Sequence, residues 1–304
     1  MKIFITGGAG FIGRHLARFL QNENEVTIYD NLSNSLESNI ESLRTEFVNG
    51  DILDYETLKK SSKGFDAVIH LAAKIDVNES IINPEETMNV NVNGTKNVLK
   101  CCVQNKIKKI IFASSAAVYG ENNNTITEKS KLNPFSPYGE SKLLAEEEIK
   151  KYSKENKLNA VILRMFNVYG IGQTEQYAGV ITKFLKNISE NNPLIIFGDG
   201  KQTRDFISIN DVVNSYNYAL KDNQNTKNNI YNIGTGVRTS ITQLAKLMLE
   251  ISGKNLQINY VDEKKGEIKH SVADVALAEK ELGFVAKTKL KEGLLKIRLD
   301  LESN

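Results

Sequence analysis

Tyr138 and Lys142 are the residues whose types and spacing point most directly to proton-transfer chemistry. They stand four positions apart at the start of a predicted helix, so the phenol and the ammonium group share one helix face. A free tyrosine titrates near a pKa of about 10, which is too high for a base at neutral pH. A cation within a few ångströms favours the phenolate, and a tyrosine tuned in this way can take up and release a proton.

Two serines, Ser114 and Ser115, follow the apolar run of residues 109–113, which predicts a buried strand. Ligands of open α/β sheets bind beyond the carboxyl ends of the strands, so we expect the serine hydroxyls to face the same site as Tyr138. A Tyr-x-x-x-Lys spacing is common in helices by chance. Its occurrence after a serine-rich strand end and an N-terminal glycine cluster makes the pattern specific.

The glycine cluster lies in residues 6–13, directly after the apolar strand candidate of residues 3–5. The Gly-x-Gly-x-x-Gly pattern that begins at Gly8 fits the dinucleotide-binding fingerprint, and Gly7 adds an earlier glycine to the turn. Glycines let the backbone approach a pyrophosphate closely, and the predicted helix over residues 14–21 offers unpaired N–H groups to it. The alternative is an ordinary strand–helix turn, which also uses glycine.

Asp30 follows the second strand candidate, residues 26–29. Its spacing from the glycines is about that expected for a carboxylate that accepts hydrogen bonds from the adenosine ribose. No Arg or Lys occurs in residues 31–34 to pair with a 2′-phosphate, so the cofactor is predicted to be NAD rather than NADP. A polar loop aspartate is the alternative at this position.

The elements that must position these residues alternate between strands and helices through the first half of the chain. Further strands are predicted over residues 46–48, 66–73, 109–113 and 160–163, and helices over residues 55–61, 85–105 and 139–154. Near-continuous apolar strands that alternate with helices predict a parallel sheet covered on both faces.

After Asn167 the alternation is looser. Short strands are predicted over residues 194–197, 230–233 and 257–260, and helices over residues 180–191, 211–221 and 241–251. We therefore predict an α/β fold, a Rossmann-type doubly wound parallel sheet with a smaller mixed α/β C-terminal domain for the substrate. Residues 1–166 would form the NAD-binding domain, and residues 167–304 would form mainly the substrate domain, interleaved with the first.

Composition limits the classes of function. The 304 residues carry a net charge of +2 with acidic and basic residues interspersed, which gives no electrostatic footprint for nucleic acid or a membrane surface. The longest apolar runs are too short to span a bilayer. Met1 and Lys2 lead straight into the first predicted strand, so we expect no signal peptide. The adjacent Cys101 and Cys102 suit a reducing, cytoplasmic setting, and three histidines without ligand spacing predict no metal site.

In these motifs the chain resembles the extended short-chain dehydrogenase/reductase family and, within it, the nucleotide-sugar epimerases, over essentially its whole length. The resemblance is carried by residues 6–13, 30–34, 50–52, 70–73, 91–95, 114–120, 138–142, 163–170 and 198–206. It implies NAD as cofactor, and the residues that it places around NAD are Gly7, Gly10, Phe11, Ile12, Gly13, Asp30, Asn31, Ser33, Asn34, Asp51, Ile52, Leu71, Ala72, Ala73, Asn91, Ser114, Tyr138 and Lys142. Asp51 and Ile52 would hold the adenine. Asn91 would lie on the nicotinamide side or, alternatively, bridge backbone groups.

The same resemblance implies roles at the reacting sugar. Ser115 would hydrogen-bond the sugar hydroxyl, and Tyr138 would be the acid/base. Lys142 would hold the nicotinamide ribose and lower the pKa of Tyr138. The residues implied for substrate binding are Ser115, Tyr138, Asn167, Arg204, Lys264 and Ser271. Asn167 and Arg204 would hold the diphosphate, since a planar guanidinium suits phosphate oxygens. A solvated surface charge is the alternative for Arg204.

Three positions bear on the reaction and the substrate. Related 4,6-dehydratases carry an Asp-Glu pair directly after the active-site hydroxyl residue, where this chain has Ala116 and Ala117, so elimination of water is disfavoured. Lys264 stands where epimerases commonly have Arg, and Lys cannot grip a diphosphate bidentately. Seven positions later, Ser271 leaves room for an acetamido group that a Tyr would exclude. As an ordinary strand residue, Ser271 would instead leave specificity to other loops.

The resemblance therefore implies an NAD-dependent nucleotide-sugar 4-epimerase, acting on UDP-glucose and UDP-galactose and also on the N-acetylated pair. The alternatives are another epimerase or a dehydratase of the same family, a dehydrogenase that releases NADH, and a noncatalytic NAD-binding sensor. Family members pair through two long helices, here near residues 85–105 and 139–154, which implies a homodimer. The expected partner is a nucleotide sugar, with no nucleic acid and no membrane.

Overall fold

A computed structural model of the chain describes residues 1–122, 124–173, 179–221, 229–263 and 268–302. The strands are β1 (Lys2–Thr6), β2 (Glu25–Asp30), β3 (Glu46–Asn49), β4 (Ala67–His70), β5 (Lys109–Ser115), β6 (Asn159–Met165), β7 (Asn167–Tyr169), β8 (Leu194–Phe197), β9 (Thr203–Arg204), β10 (Phe206–Ser208), β11 (Asn229–Ile233), β12 (Thr239–Ser240), β13 (Ile258–Val261) and β14 (His270–Ser271). The helices are α1 (Phe11–Leu20), α2 (Tyr55–Ser61), α3 (Val77–Ile82), α4 (Pro84–Met88), α5 (Gly94–Gln104), α6 (Pro137–Asn156), α7 (Val180–Ser189), α8 (Ile209–Leu220), α9 (Ile241–Ser252) and α10 (Leu290–Glu302).

Seven of the strands form one parallel sheet in the order β3-β2-β1-β4-β5-β6-β11. The order reverses between β1 and β4, and ligands of such sheets bind in the crevice at that reversal. Helices α1 and α8 cover one face of the sheet, while α2, α5 and α6 cover the other. The predicted Rossmann-type doubly wound sheet is confirmed.

Burial on both faces explains the apolar runs of the central strands. Ile3 and Ile5 lie in the core beneath α1 and α8, whereas Phe4 lies in the core beneath α2, α5 and α6. All three side chains are fully buried. A strand with two buried faces has no solvent-facing row for polar residues, so it reads as a continuous apolar segment.

The helix predicted over residues 85–105 is instead two helices, α4 and α5, joined by a π-helical turn at Asn89–Asn93. The Thr95 hydroxyl donates to the Asn91 carbonyl oxygen at 2.6 Å, and the Asn91 side chain bonds to the backbone of Lys74. Single π turns inside helices occur often at functional sites. This one lines part of the cavity described below.

The second half of the chain contributes to the main sheet and also forms a smaller region of its own. β11 completes the sheet beside β6, and α8 packs against α1. In the smaller region β9 pairs with β12 and β14, β7 with β10, and β8 with β13. A separate core beneath α7, α9 and α10 includes Phe184, Leu244 and Leu294. Residues beyond 166 therefore complete the first sheet, and the domain boundary itself stays a prediction.

In the part of the chain that the structure describes, no helix combines the length and apolarity needed to cross a membrane. The same residues contain no group of three or more His, Cys, Asp or Glu side chains placed to hold a metal ion. Cys101 and Cys102 are buried free thiols on α5. Burial raises the pKa of Cys101 to about 11, which keeps it in the unreactive thiol form.

Candidate active site

A cavity of about 570 Å³ lies at the carboxyl ends of strands β1 to β6. Every residue that the sequence analysis placed around the cofactor lines this cavity, apart from Asn91. The lining residues from that set are Gly7, Gly10, Phe11, Ile12, Gly13, Asp30, Asn31, Ser33, Asn34, Asp51, Ile52, Leu71, Ala72, Ala73, Ser114, Tyr138 and Lys142. Ser115 and Asn167, from the substrate set, also line the wall.

The glycine loop leads from β1 into α1 along one wall of the cavity. Gly7 has a φ of +71°, and a Cβ at this position would lie 2.5 Å from the Ala72 nitrogen, so only glycine suits it. Gly10 precedes α1 and has no side chain to cap the helix. The first-turn N–H groups of α1 are therefore available to an anion in the cavity.

Asp30 joins the glycine loop to the loop after β2. Its carboxylate accepts hydrogen bonds from the Ala9 N–H at 3.0 Å, the Leu32 N–H at 2.8 Å and the Ser35 hydroxyl at 3.2 Å. Asp30 also lines the cavity. It therefore combines a place in the cavity wall with a structural role in both loops.

The first turn of α6 places Tyr138. Ser136 caps the helix by accepting a hydrogen bond from the Gly139 N–H at 3.1 Å. A Cβ at Gly139 would lie 2.7 Å from the Ala117 carbonyl oxygen, so glycine lets the helix approach the turn that follows β5. Tyr138 consequently meets the serine-rich end of β5.

Ser115 and Tyr138 interact at this end of the cavity. The Ser115 hydroxyl accepts a hydrogen bond from the Ala117 N–H at 3.2 Å, which leaves its own proton for donation. Burial raises the pKa of Tyr138, and hydrogen bonding with Ser115 opposes this increase. The Tyr138–Lys142 spacing predicts that Lys142 lowers that pKa. In the structure the Lys142 Nζ lies 6.0 Å from the centre of the Tyr138 ring, and Ser115 is the group that opposes burial.

Lys142 is nearly fully buried one helical turn after Tyr138. Its Nζ donates to the Ala113 carbonyl at 2.9 Å and lies 4.9 Å from the centre of the Phe112 ring. Burial lowers the pKa of Lys142 to about 8, and the charge of Glu146 partly offsets that effect. Lys142 is therefore mostly charged at neutral pH and loses its proton as the pH rises through about 8.

His70, at the end of β4, lies beneath the same site and was not assigned a role from the sequence. Its two ring nitrogens bond to the hydroxyls of Thr6 and Thr95, at 2.7 and 2.9 Å. Burial lowers the pKa of His70 to about 3, with a smaller effect from the charge of Lys142. His70 thus stays neutral at physiological pH and cross-links β1, β4 and α5.

Asn91 is the predicted cofactor residue that does not line the cavity. Its side-chain oxygen accepts from the Lys74 N–H at 2.7 Å, and its amide donates to the Lys74 carbonyl at 2.9 Å and to the Ser141 hydroxyl at 2.8 Å. The side chain is buried. Asn91 therefore has the backbone-bridging role that was its alternative, because its polar atoms are used to join the segment after β4 to α6.

Lys74 lines the cavity although it was not assigned a role from the sequence. Its Nζ pairs with Glu86 at 2.9 Å and with Glu79 at 3.2 Å. Its position directly after Ala72 and Ala73, at a strand end, was the signal that the sequence offered. Other unassigned residues in the cavity wall include Arg14, Phe166 and Gln173.

The remaining substrate residues lie in the smaller region. Asn167 lines the cavity, and its N–H donates to the Asp205 carbonyl at 3.0 Å. Arg204 and Ser271 are register partners on β9 and β14, outside the cavity wall. Arg204 is only partly exposed and Ser271 is 8% exposed. Lys264 lies outside the described residues.

Asp205, which was not assigned from the sequence, holds this region together. Its buried carboxylate accepts from the Thr235 N–H at 2.8 Å, the Thr235 hydroxyl at 2.6 Å, the Gly236 N–H at 2.9 Å and the Ala273 N–H at 3.3 Å. Its own N–H donates to the Ser271 carbonyl at 3.0 Å. Burial raises the pKa of Asp205 although these donors oppose the increase. The contacts position β9 and β14.

A second cavity, of about 410 Å³, lies beside β14. Its lining residues are Phe197, Gly198, Asp199, Lys201, Gln202, Glu263, Ile268, Lys269 and His270. His270 directly precedes Ser271 in β14 and accepts from or donates to the Thr203 hydroxyl at 2.9 Å. The cavity is therefore joined through β14 to Ser271 and Arg204.

The first cavity fits NAD. The glycine loop, whose Gly7 packs directly against the backbone of Ala72, stands beside the uncapped N-terminus of α1, as a pyrophosphate site requires. Asp30 offers carboxylate oxygens at the end of the second strand, and the buried Lys142 also lines the cavity. These donors and acceptors match the successive groups of a dinucleotide.

The model of the NAD dependent epimerase/dehydratase family matches residues 3–234. The chain is 41% identical to a Methanocaldococcus jannaschii protein named "Putative UDP-glucose 4-epimerase" over 300 residues, which are 97% of this chain and 96% of the relative. It is similar to the crystal structure of Thermotoga maritima UDP-glucose 4-epimerase with UDP-glucose, with a TM-score of 0.94 and 33% identity over 100% of this chain and 99% of that chain. It is also similar to a UDP-N-acetylglucosamine 4-epimerase from Methanobrevibacter ruminantium in complex with UDP-N-acetylmuramic acid, with a TM-score of 0.94 and 34% identity over 99% and 98% of the two chains.

Proposed function

Because this chain belongs to the NAD-dependent epimerase/dehydratase family, we propose that it interconverts UDP-glucose and UDP-galactose at C4 and also accepts the N-acetylated pair. The observation that carries the proposal is the meeting of Ser115, Tyr138 and Lys142 in the wall of the cofactor cavity. Proteins named as UDP-glucose and UDP-N-acetylglucosamine 4-epimerases share the fold over nearly its full length, which supports this choice of substrates.

The proposal gives each part of the cavity a role. The glycine loop and the N-terminus of α1 would hold the pyrophosphate, Asp30 the adenosine ribose and Lys142 the nicotinamide ribose. When bound, oxidised NAD supplies a reversible hydride acceptor for C4 and a positive ring charge that favours a phenolate.

Tyr138 would move the proton. As a phenolate it removes the proton of the C4 hydroxyl while C4 gives up its hydride. It returns the proton to the C4 oxygen when hydride adds to the opposite face of the rotated keto sugar. Ser115 would hydrogen-bond the same oxygen, because its hydroxyl accepts from the Ala117 N–H and keeps its own proton for donation.

The arrangement favours epimerisation over loss of water. Ala116 and Ala117 provide no acid in the turn after Ser115. The carboxylates among the described residues of the cavity wall are Asp30, Asp51 and Glu86. The first two follow β2 and β3, and Glu86 is paired with Lys74. A departing hydroxyl would therefore lack a proton donor beside Ser115, and the keto sugar would be reduced again.

A noncatalytic NAD-binding sensor is the competing function, but it would not need an acid/base tyrosine beside a serine and a lysine. The test is incubation of UDP-glucose with the purified protein at catalytic concentration, with UDP-galactose measured by chromatography. We expect many turnovers without net consumption of NAD. No turnover would favour the sensor, and one NADH formed per sugar would identify a dehydrogenase.

Acceptance of N-acetylated sugars depends on Ser271. This small residue is nearly buried beside Arg204, and bulk added there must displace its neighbours or the substrate. Steric exclusion in a packed pocket can exceed the ~1–3 kcal/mol of one missing contact. Ser271→Tyr should therefore reduce kcat/KM for UDP-N-acetylglucosamine far more than for UDP-glucose. Equal reductions for both sugars would remove Ser271 from substrate selection.

We further propose that the protein is a homodimer that pairs through α5 and α6. The two helices pack side by side on one face of the sheet, and Leu144 on α6 is exposed. Sedimentation velocity at micromolar concentration should show a single species with twice the chain mass. A monomer under these conditions would contradict the proposed assembly.

A further inference from the structure

A buried ion pair lies directly beneath the proposed proton-transfer residues. Glu146 stands four residues after Lys142 and eight after Tyr138, so the three side chains follow one face of α6. Its partner Arg164, on β6, donates from Nε to Oε1 at 2.8 Å and from Nη2 to Oε2 at 2.6 Å. Glu146 is fully buried and Arg164 is 1% exposed. A bidentate pair of this kind fixes geometry as well as charge.

The same carboxylate reaches the strand that carries the active-site serines. The Ser114 hydroxyl donates to Glu146 Oε1 at 2.5 Å. Ser114 and Arg164 are register partners on β5 and β6, and Ser115 is the next residue. Glu146 therefore joins α6 to the ends of both strands at the place where Tyr138 meets Ser115.

Arg164 is itself held by a continuous set of hydrogen bonds. Its Nη1 donates to the Tyr119 hydroxyl at 2.9 Å and, at 3.4 Å, to the Glu128 carbonyl. The Tyr119 hydroxyl donates to the Asn232 side-chain oxygen at 2.6 Å, and the Asn232 amide donates to the Ile126 carbonyl at 2.8 Å. A buried network in which each group is satisfied is rigid. The network fixes Arg164, and Arg164 in turn holds the Glu146 carboxylate in one position.

The charges around Lys142 give Glu146 a second effect. Facing Lys142 are the carbonyl of Ala113, the ring of Phe112, the neutral His70 and the phenol of Tyr138. The carboxylate of Glu146 is the group that raises the pKa of Lys142 against burial.

Glu146 in turn faces cations from two elements. Arg164 approaches it from β6, and Lys150 lies 4.0 Å away on α6 with half of its side chain exposed. On the far side of Arg164 stand the Tyr119 hydroxyl and the Glu128 side chain, whose pKa burial raises. Replacement of Glu146 by a neutral residue would leave the buried charge of Arg164 without its carboxylate.

We propose that Glu146 is a positioning residue for the reaction: held by Arg164 and Ser114, it sets the Tyr138/Lys142 face of α6 against Ser115 and supplies a negative charge that compensates Lys142. The inference rests on the proposed function of Tyr138 and Lys142. Glu146 itself would touch neither sugar nor cofactor, and it would act through Tyr138 and Lys142, which do.

Glu146→Gln tests this inference, with Glu155→Gln, an exposed acid near the end of the same helix, as the matched control. We expect kcat to fall about 10–100-fold with KM little changed, because the substitution would misplace Tyr138 and Lys142 relative to Ser115. The alkaline limb of the kcat–pH profile should move to lower pH by about one unit, since Lys142 loses its compensating charge. Bound NAD should be retained, and the control should match the parent in each measurement.

Two further variants separate charge from geometry. Glu146→Asp keeps the charge and shortens the side chain, so kcat should fall while the alkaline limb stays near that of the parent. Glu146→Gln/Arg164→Met removes both charges and avoids an unpaired buried guanidinium, which makes it the variant to use if the single change does not fold. It should show a shift of the alkaline limb in the same direction as Glu146→Gln, but smaller.

Titration of Lys142 by NMR of ¹³C-labelled lysine, assigned through loss of its signal in Lys142→Met, gives a readout that needs no turnover. A lower titration midpoint in the Gln variants supports the inference. Folded Glu146→Gln and double variants that keep both the parent pH profile and the parent titration would overturn it. A parent protein that binds NAD but epimerises no UDP-sugar would overturn the proposed function instead, and the titration would still report the effect of Glu146.

Discussion

The cofactor end and the proposed substrate end of this molecule are built in different ways. The cofactor cavity lies at the ends of six parallel strands that belong to one continuous sheet, with a core on each face. Arg204 and Ser271 instead lie on strands of two residues each, β9 and β14. Strands this short cannot hold their own register, and here the buried carboxylate of Asp205 joins them to neighbouring segments.

This difference in construction predicts which property of the protein a mutation at each end would change. Burial at the ends of the central strands keeps His70 neutral and lowers the pKa of Lys142 to about 8. Groups with pKa values shifted in this way suit proton transfer. At the proposed substrate end, β9 and β14 have only two residues each, so we expect a single substitution there to alter their placement without disturbing the sheet. We expect mutations at the cofactor end to change the chemistry and mutations at the substrate end to change which sugar is bound.

The largest effect is expected for Tyr138→Phe. The ring is retained and only the proton carrier is removed, so kcat should fall by at least about 10²–10⁴-fold. Bound NAD, measured by absorbance after denaturation, should equal that of the parent. Near-normal turnover in this variant would show that Tyr138 does not carry the proton.

Lys142→Met should lower kcat by less than Tyr138→Phe does, and yet it should stabilise the fold. The pKa of Lys142 is lowered from the ordinary 10.5 to about 8, so below pH 8 the folded protein carries a charge that burial disfavours. Removing it should raise the free energy of unfolding by about 3 kcal/mol at pH 7, at ~1.4 kcal/mol for each pKa unit.

Because the pKa of Lys142 is lowered in the folded protein, the stability difference between Lys142→Met and the parent depends on pH. The parent gains stability as the pH rises from 8 to 10.5, because the unfolded chain then binds the proton that the folded protein has released. The difference between variant and parent in urea denaturation should therefore shrink over that range. A constant difference between pH 7 and pH 10.5 would contradict the lowered pKa.

Asp205→Asn should weaken substrate binding while leaving NAD in place. The amide oxygen can still accept from Thr235, but the amide nitrogen would face the N–H groups of Gly236 and Ala273. Leaving buried donors unpaired costs about 1–3 kcal/mol, which would raise KM for the UDP-sugar roughly tenfold or more. Asp262→Asn, an exposed acid in the same half, is the control. Loss of NAD as large as the loss of substrate affinity would show that the two ends are not independent.

The smallest effect is expected for Asp30→Ala. NAD affinity should fall about tenfold, as expected for one charge-assisted hydrogen bond of ~1.5–3 kcal/mol, partly replaced by water. The free energy of unfolding should fall as well, because the N–H groups of Ala9 and Leu32 lose their acceptor. Equal affinity of the parent for NAD and NADP in calorimetry would contradict the assignment of Asp30 to the ribose.

Much of the cofactor end was predictable from the sequence because its signals are local. The glycine pattern, Asp30 and the Tyr138–Lys142 spacing each lie within a few residues of a strand end or a helix start. Parallel strands place all such ends on one edge of the sheet, so local motifs far apart in the chain must meet there. That geometric rule accounts for the agreement between the predicted cofactor residues and the cavity wall.

What the sequence alone determined about this protein is therefore its sheet, its NAD-binding motifs and the meeting of the residues proposed for proton transfer, since strand periodicity and helix spacing are properties of short segments. The tertiary structure decided three further features. These are the bonds from Asn91 to the backbone of Lys74, the Glu146–Arg164 ion pair and the hydrogen bonds that the Asp205 carboxylate accepts. Each of these polar side chains finds its partners on distant segments. A buried polar group takes whichever partner the packing brings within hydrogen-bond distance, and no local pattern in the sequence encodes that choice.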